Sequence, residues 1–391
     1  MAKDLPCRRQ QLLLRPLTDE YDDNNVIEIL SRLPVKSLIR FRCVCKSGLA
    51  LISDYYFVMK HCNHAVMESN FACNRFRFLS SIRPPESIDY KELLLFDTKD
   101  YDDGSCVAST ELRLPKRLDG TTVVGSCNGL ICLHQQTYDC LFLCNPSTGD
   151  VNRLPLLPTS FPSSGQLFEG FGYDSTAHDY KVVMGIDCKT ATGALTTTTV
   201  AVFSLKTGSW KTTENLKYVD LDEIGCFLNG AIHWRQPKLA RIIAFDLVQE
   251  KFQGNTVPLP ELANENTSVT IGTVIRNNSL FVSYNTNPVH PAITIWVMKE
   301  YGFAESWTKF IIHTSGWSLR GIALIYIEPV CILENGQVLL SFYLIGGNYG
   351  LLLYNPQEKT HKIVHESHKF EVETLVMYVE TLVSPKNGVG I

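Results

Sequence analysis

The chain has 391 residues, 45% of them hydrophobic, with 36 Lys and Arg against 40 Asp and Glu. That suits one small module plus one large domain with ample material for a core. A net charge of −4 offers no footprint for nucleic acid, and the longest apolar run, residues 321–327, is far too short to span a membrane.

The thirteen cysteines are scattered, odd in number and without a Cys-x-x-Cys pair. Cys127, Cys132 and Cys144 fall inside apolar runs, where a free thiol acts as a small hydrophobe. This reads as a reduced, intracellular protein, expected in the cytoplasm or nucleus. Arg8 and Arg9 precede only three leucines, so no secretion signal is expected.

Residues 1–25 show no apolar period and read as a flexible leader with an acidic run at Asp19, Glu20, Asp22 and Asp23. Residues 26–54 then carry five Lys or Arg against Glu28 and Asp54. Val26, Ile29, Leu30 and Leu33 recur at helical spacing and predict an apolar stripe. Pro34 fits the first turn of a second helix carried by Val35, Leu38, Ile39, Arg42 and Cys45. Gly48 breaks the pattern before Leu49 and Ile52. Three short helices make a core too small to stand alone, so this unit needs a partner surface. His61, Cys62 and His64 lack a second well-spaced pair of ligands and read as a surface helix end rather than a metal site.

From about residue 90 two phrases recur. One is an apolar run, a polar turn and a short strand: 92–100, 140–155, 201–212, 242–253, 293–310 and 350–363. The other is a turn leading into an apolar strand: 127–134, 178–186, 228–234, 277–284 and 335–343. Asn-Gly pairs supply the positive φ of tight hairpins, and Asn145-Pro146 and Asn355-Pro356 start turns with φ already fixed. Landmarks at Phe96, Cys144, Ser204, Phe245, Val297 and Tyr354 lie 48, 60, 41, 52 and 57 residues apart. About four strands per such period predicts a β-propeller; a large sandwich is the alternative. Residues 372–384 read as a last strand that completes the first blade, leaving no open edge.

No Gly-x-Ser-x-Gly, His-Glu-x-x-His, Walker A or Gly-x-Gly-x-x-Gly motif occurs, and no cofactor or metal is expected. A glycosidase pair among the turn carboxylates stays open, since spatial pairs are invisible in sequence. The repeated tryptophans (Trp210, Trp234, Trp296, Trp307) read as packing between blades. Trp317, in a Ser-Gly-Trp-Ser loop, is the one weak candidate for ligand binding. Loops at 157–170, 187–199 and 313–320 are where recognition is expected.

Residues 28–54, with Leu-Pro-Val-Lys-Ser-Leu and Arg-Cys-Val-Cys-Lys-Ser, resemble the F-box of plant F-box proteins. The segments SCNGLICL, LCNPSTGDVNRLP, FGYDSTAHDYKVV, LNGAIHW and FDLVQEKF are similar to the F-box-associated domain of the same group, which includes F-box/kelch-repeat and S-locus F-box proteins. The resemblance implies an α+β multidomain chain: leader 1–25, a three-helix F-box at 26–65, a mostly antiparallel all-β, kelch-like β-propeller at 70–384, and a tail at 385–391. It implies a non-catalytic substrate receptor of an SCF-type ubiquitin ligase, docked on a Skp1-like adaptor and through it a cullin, while the β-domain holds a target protein. Ile29, Leu30, Leu33, Pro34, Val35, Leu38, Val44 and Cys45 match the family's adaptor-contact or core positions. Two positions depart from the pattern: Asp22 to Asn25 stand where a first Leu-Pro is usual, and Gly48 stands where the family has Trp. A propeller scaffold or inhibitor with a degenerate F-box is the alternative, and a helix-turn-helix fails because Arg40 and Arg42 are too few to track phosphates.

Overall fold

The computed structural model describes residues 23–67, 75–80, 86–95, 107, 109–112, 118, 121–189, 195–212, 220–254, 257–260, 269–275, 279–286, 291–319, 321–344, 349–367 and 375–388. Residues 1–22 of the expected leader lie outside that set; Asp23 already begins a helix.

Helices α1 (Asp23–Ser31), α2 (Val35–Arg42) and α3 (Lys46–Ser53) occupy the stretch read as helical, and α4 (Tyr55–Met67) follows. Two local readings change. Pro34 sits just outside α2, where its fixed φ of −59° and extended ψ let its carbonyl accept the Ser37 and Leu38 N–H groups at 2.9 and 3.2 Å. Cys45 does not extend α2, which ends at Arg42; its extended backbone makes it the N-cap of α3, with the thiol accepting the Gly48 N–H at 3.3 Å. Gly48 therefore lies within the first turn of a helix rather than ending one. Asp54 starts α4 by accepting the Tyr56 and Phe57 N–H groups at 2.9 and 3.2 Å.

The β-domain comprises five sheets among the described residues. The largest, of nine strands, is two four-stranded antiparallel units joined by a single parallel pair, Val274 with Ile332, plus the short strand Ser318–Leu319 paired on Ile322 and Ala323. Six blades result. Blade one combines Leu375–Val379 with Phe76–Ser80, Glu86–Asp89 and Ser109–Glu111. Blades two to six span residues 122–153, 166–212, 226–252, 269–313 and 322–367. The last strand pairs antiparallel with the first, Phe76 opposite Val379 through Ser80 opposite Leu375, so the ring closes as expected.

The core explains why the phrase recurs. It is divided into clusters, each between neighbouring blades. Leu79, Leu133 and Phe142 join blades one and two; Leu143, Phe171 and Phe203 join two and three; Phe168, Trp234 and Phe245 join three and four. Leu228, Ile242 and Val282 join four and five; Phe281, Ile295 and Leu340 join five and six; Leu351, Phe78 and Tyr90 bring six back to one. A sandwich has one core between two sheets and does not produce this ring of clusters. Five of the six landmarks, Cys144, Ser204, Phe245, Val297 and Tyr354, fall on the third strand of successive blades. Phe96 lies outside the described residues.

Asn128-Gly129 and Asn229-Gly230 turn with φ of 51°, 85°, 50° and 77°, the geometry of a type I′ hairpin. One strand reading was wrong. The apolar run beginning at 92 is helical, in α5 (Tyr90–Leu95). The Asp89 carboxylate accepts the Lys91 N–H at 2.8 Å, and the fully buried Leu93 packs among Phe76, Phe78 and Ile88 from a helix. Trp234 is fully buried and Trp210 and Trp307 pack at the edges of inter-blade clusters, as expected for core tryptophans.

Candidate partner-binding site

The helical unit rides on blades two and three. Val35, Leu38, Ile52, Phe57, Val58 and Cys62 share one cluster with Leu130, Cys132, Leu143, Phe171 and Tyr180 of those blades and with Leu382 and Val383 beyond the last strand. Tyr55 meets His178 edge-on at 5.9 Å between ring centres. His61 and Cys62 are therefore not at a surface helix end; they lie mid-helix on the buried face of α4 because that face meets the propeller. The partner surface demanded by the undersized helical core is supplied in part by the chain itself.

Arg75, 3% exposed, fastens the join. Its guanidinium donates to the Ser31, Leu33 and His61 carbonyls at 3.3, 3.2 and 3.3 Å, and lies 3.1 Å from His61 Nε2. Burial, and then the Arg75 charge, hold the His61 imidazole down at about 3, so it stays neutral, with its Nε2 also 3.1 Å from the Leu33 carbonyl. Residues 380–388 also wedge under the helices. The Asn145 amide donates to the Thr381 and Val383 carbonyls at 2.9 Å each, and the Pro385 carbonyl accepts from Asn152 at 3.0 Å. Pro385 of the expected tail is thus packed against blade two, while Lys386 and Asn387 are exposed.

The opposite side of the helical unit is bare. Val26, Ile29, Phe41, Val44 and Leu49 are 47%, 64%, 44%, 73% and 44% exposed. Val26, Phe41 and Val44 line a groove of about 520 Å³ together with Leu30, Cys45, Gly48 and Leu51, whereas Ile29 and Leu49 do not line it. Isolated exposed hydrophobics are ordinary, but a contiguous strip around an apolar groove marks a docking surface. The Glu28 carboxylate pairs with Lys60 and Arg32, which hold it down at about 2.

The expected adaptor contacts divide accordingly. Ile29, Pro34, Val44 and Cys45 are exposed, and Leu30 and Leu33 are half-buried. Val35 and Leu38, at 1% and 0% exposure, do not reach the surface; they point into the cluster shared with the propeller, so they support the interface rather than form it. Of the predicted stripe, Ile29 faces outward and Leu30 and Leu33 pack half inward. Phe41 and Leu49 were missed, because their exposure follows from how α2 and α3 cross. Arg75 was missed too, since its partners are backbone carbonyls far away in sequence.

Trp317 is half-buried and stacks on His361 at 4.1 Å with Tyr354 beside it at 5.8 Å. It packs against the cluster shared by blades five and six.

Family models match the two parts separately: an F-box domain over residues 22–57 and an F-box associated beta propeller domain over residues 90–385. The chain is 32% identical over 332 residues to the F-box protein CPR1 of Arabidopsis thaliana, covering 78% of this chain and 75% of that one. It is 27% identical over 370 residues to an F-box/kelch-repeat protein of the same plant, covering 92% and 94%. The helical unit with its bare apolar strip is the F-box, the six-bladed ring is its associated domain, and the chain belongs to the family of F-box proteins with an F-box-associated β-propeller.

Proposed function

We propose that the chain is the substrate-recognition subunit of an SCF-type ubiquitin ligase. The F-box docks on a Skp1-like adaptor, which connects it to a cullin, and the propeller holds a target protein. The observation that carries this reading is the exposed strip of Val26, Ile29, Phe41, Val44 and Leu49 on the side of the F-box turned away from the propeller. One side of the small helical core is closed by the chain, and the other is left for a partner. Such a receptor performs no bond chemistry. Its contribution is proximity: two contacts on one rigid body raise the local concentration of target lysines beside the charged conjugating enzyme. The setting is the cytoplasm or nucleus, where free thiols persist.

The adaptor contacts are Ile29, Leu30, Leu33, Pro34, Val44 and Cys45, with Phe41 and Leu49 added from the surface and Val35 and Leu38 beneath them. A scaffold or inhibitor without ligase function is favoured by one observation, the groove at Gly48, where the family's Trp is missing and the surface is less filled. Co-purification with a Skp1-like protein separates the two. The receptor reading expects a stoichiometric complex with the wild-type chain and none with Val44→Glu; a wild-type chain that stays alone would leave the scaffold.

A further inference from the structure

The propeller has two faces, and the F-box covers part of one. In an antiparallel blade, successive connections alternate between faces. The turns at 128–129, 145–149 and 178 lie on the F-box side, where Asn128, Asn145 and His178 touch residues 381–383 or α4. The connections at 136–139 and 154–165 therefore open on the far face, as do residues 220–225 ahead of blade four. There, the 12-residue loop 154–165 between blades two and three roofs a pocket of about 570 Å³.

The floor of this pocket is built from buried polar groups. His134 and Glu169, 2% and 1% exposed, are paired through Nδ1 and Oε1. His134 Nε2 lines the pocket without a hydrogen-bond partner, 3.6 Å from an Asp139 carboxylate oxygen. Glu169 is held rigidly: its N–H donates to the Glu223 carbonyl at 2.7 Å, and its own carbonyl accepts from Gly225 at 2.8 Å and the Trp234 indole at 3.0 Å. At the mouth stand the carboxylates of Asp139 and Glu223, both on exposed residues, with Gln136 donating to Glu223 at 3.1 Å. Leu157, Pro158 and Phe161 form an apolar wall, and among the described residues no lysine or arginine lines the pocket.

The charges do not balance. Burial works against a charged His134, but the Glu169 and Asp139 carboxylates outweigh it and raise its affinity for a proton. That imidazolium is already paired with the buried Glu169, so among the described residues the Asp139 and Glu223 carboxylates are left facing the pocket without a cation of their own. The missing element is a second cation at the mouth, on a stem apolar enough for the wall.

We propose that this pocket receives an arginine or lysine side chain of the target protein, with its cationic head between Asp139 and Glu223 and its methylene stem along Leu157, Pro158 and Phe161. Long basic side chains combine those two properties, and a carboxylate pair favours a guanidinium that can be bound from two sides. The inference rests on the reading of the propeller as the part that holds the target, and it names the chemistry by which the far face does so.

The test uses the full-length chain, immobilised and exposed to four pools of random heptapeptides whose central residue is fixed as Arg, Lys, citrulline or Glu. Citrulline keeps the shape of Arg and removes its charge. The Arg and Lys pools are expected to be retained about fivefold or more above the citrulline and Glu pools, the scale of a partly shielded charge pair. The double variant Asp139→Asn, Glu223→Gln should level the four pools, with an unchanged melting temperature and unchanged adaptor binding. Equal retention of all pools by the wild type overturns the proposal, as does a preference for Glu, or a basic preference that the double variant keeps. Adaptor binding is scored on the same preparations. Pool preference without adaptor binding sinks the ligase reading and leaves the pocket, whereas adaptor binding without pool preference sinks the pocket alone.

Discussion

Arg75→Met is the perturbation that bears most directly on how the F-box is held. The substitution keeps an unbranched side chain of similar length and removes every donor. In the native structure the guanidinium serves the carbonyls of Ser31, Leu33 and His61 and the Nε2 of His61, in a site only 3% exposed. Losing one donor to a buried carbonyl costs about 1–3 kcal/mol, and water entering the opened site recovers part of it. Removal of all four contacts should therefore weaken docking of the F-box on the propeller by about 3–5 kcal/mol, the range found when buried charged networks lose a partner. The apolar cluster of Val35, Leu38, Phe57 and Cys62 with blades two and three remains, so the helices should loosen rather than detach. Hydrogen exchange reads this by segment. Amide protection in α1, α2 and α4 should fall by about a hundredfold or more, while protection in blades four to six stays unchanged. Unchanged protection in the helices would refute the clamp and leave apolar packing as the whole of the join.

Gly48→Trp places an indole over the groove. An ideal Cβ there meets Cys45 Sγ at 3.2 Å and the Phe41 carbonyl at 3.3 Å, so the thiol must turn slightly. Relief of the helix-interior glycine and burial of the ring against Leu30 and Val44 should together stabilise the F-box by about 1–3 kcal/mol; a lower melting temperature would show that the Phe41 carbonyl does not yield. Truncation after residue 368 removes the strand Leu375–Val379 that pairs with Phe76–Ser80 and should unfold the whole ring rather than trim it; a soluble fragment with native melting would count against closure. The pH dependence has a definite sign. Burial holds His61 at about 3 and His233 at about 4, below the ordinary 6.5, so each contributes stability that is full above about 6.5 and is lost as pH falls. Each should subtract about 1.4 kcal/mol per pH unit between about 6 and its folded value. His134 is raised instead, so its contribution is full below 6.5 and fades only above it. Denaturant titrations from pH 7 to 4.5 should show falling stability; a flat profile would contradict the neutral burial of His61.

The sequence disclosed the ring because its repeated phrase is local chemistry. Asn-Gly at 128–129 and 229–230 and Asn-Pro at 145–146 and 355–356 fix hairpins without help from distant residues, and the landmark runs fall on equivalent third strands. Closure was legible for a related reason: residues 372–384 carry an apolar strand pattern outside the repeated phrases, and Leu375–Val379 pairs with Phe76–Ser80. The run after residue 90 misled because a short apolar segment carries no clear period, and the Asp89 cap and a place for Leu93 against blade one decided for a helix. The adaptor strip was legible as composition but not as orientation. Val35 and Ile29 are equally apolar, yet α4 and the propeller cover one and leave the other bare. The far-face pocket was out of reach, since His134, Glu169 and Glu223 converge only when blades two, three and four are assembled.

The central claim, that the bare strip of the F-box is an adaptor-docking surface, is tested most directly by calorimetric titration of a Skp1-like protein into the full-length chain and its Val44→Glu variant. Val44 is 73% exposed, so the charge should leave folding intact. The account predicts a one-to-one complex with the wild type and at least about a hundredfold weaker binding by the variant, as expected for a charge buried at an apolar hot spot. Wild-type binding that Val44→Glu leaves unchanged, or no binding by a folded wild-type chain, would contradict it.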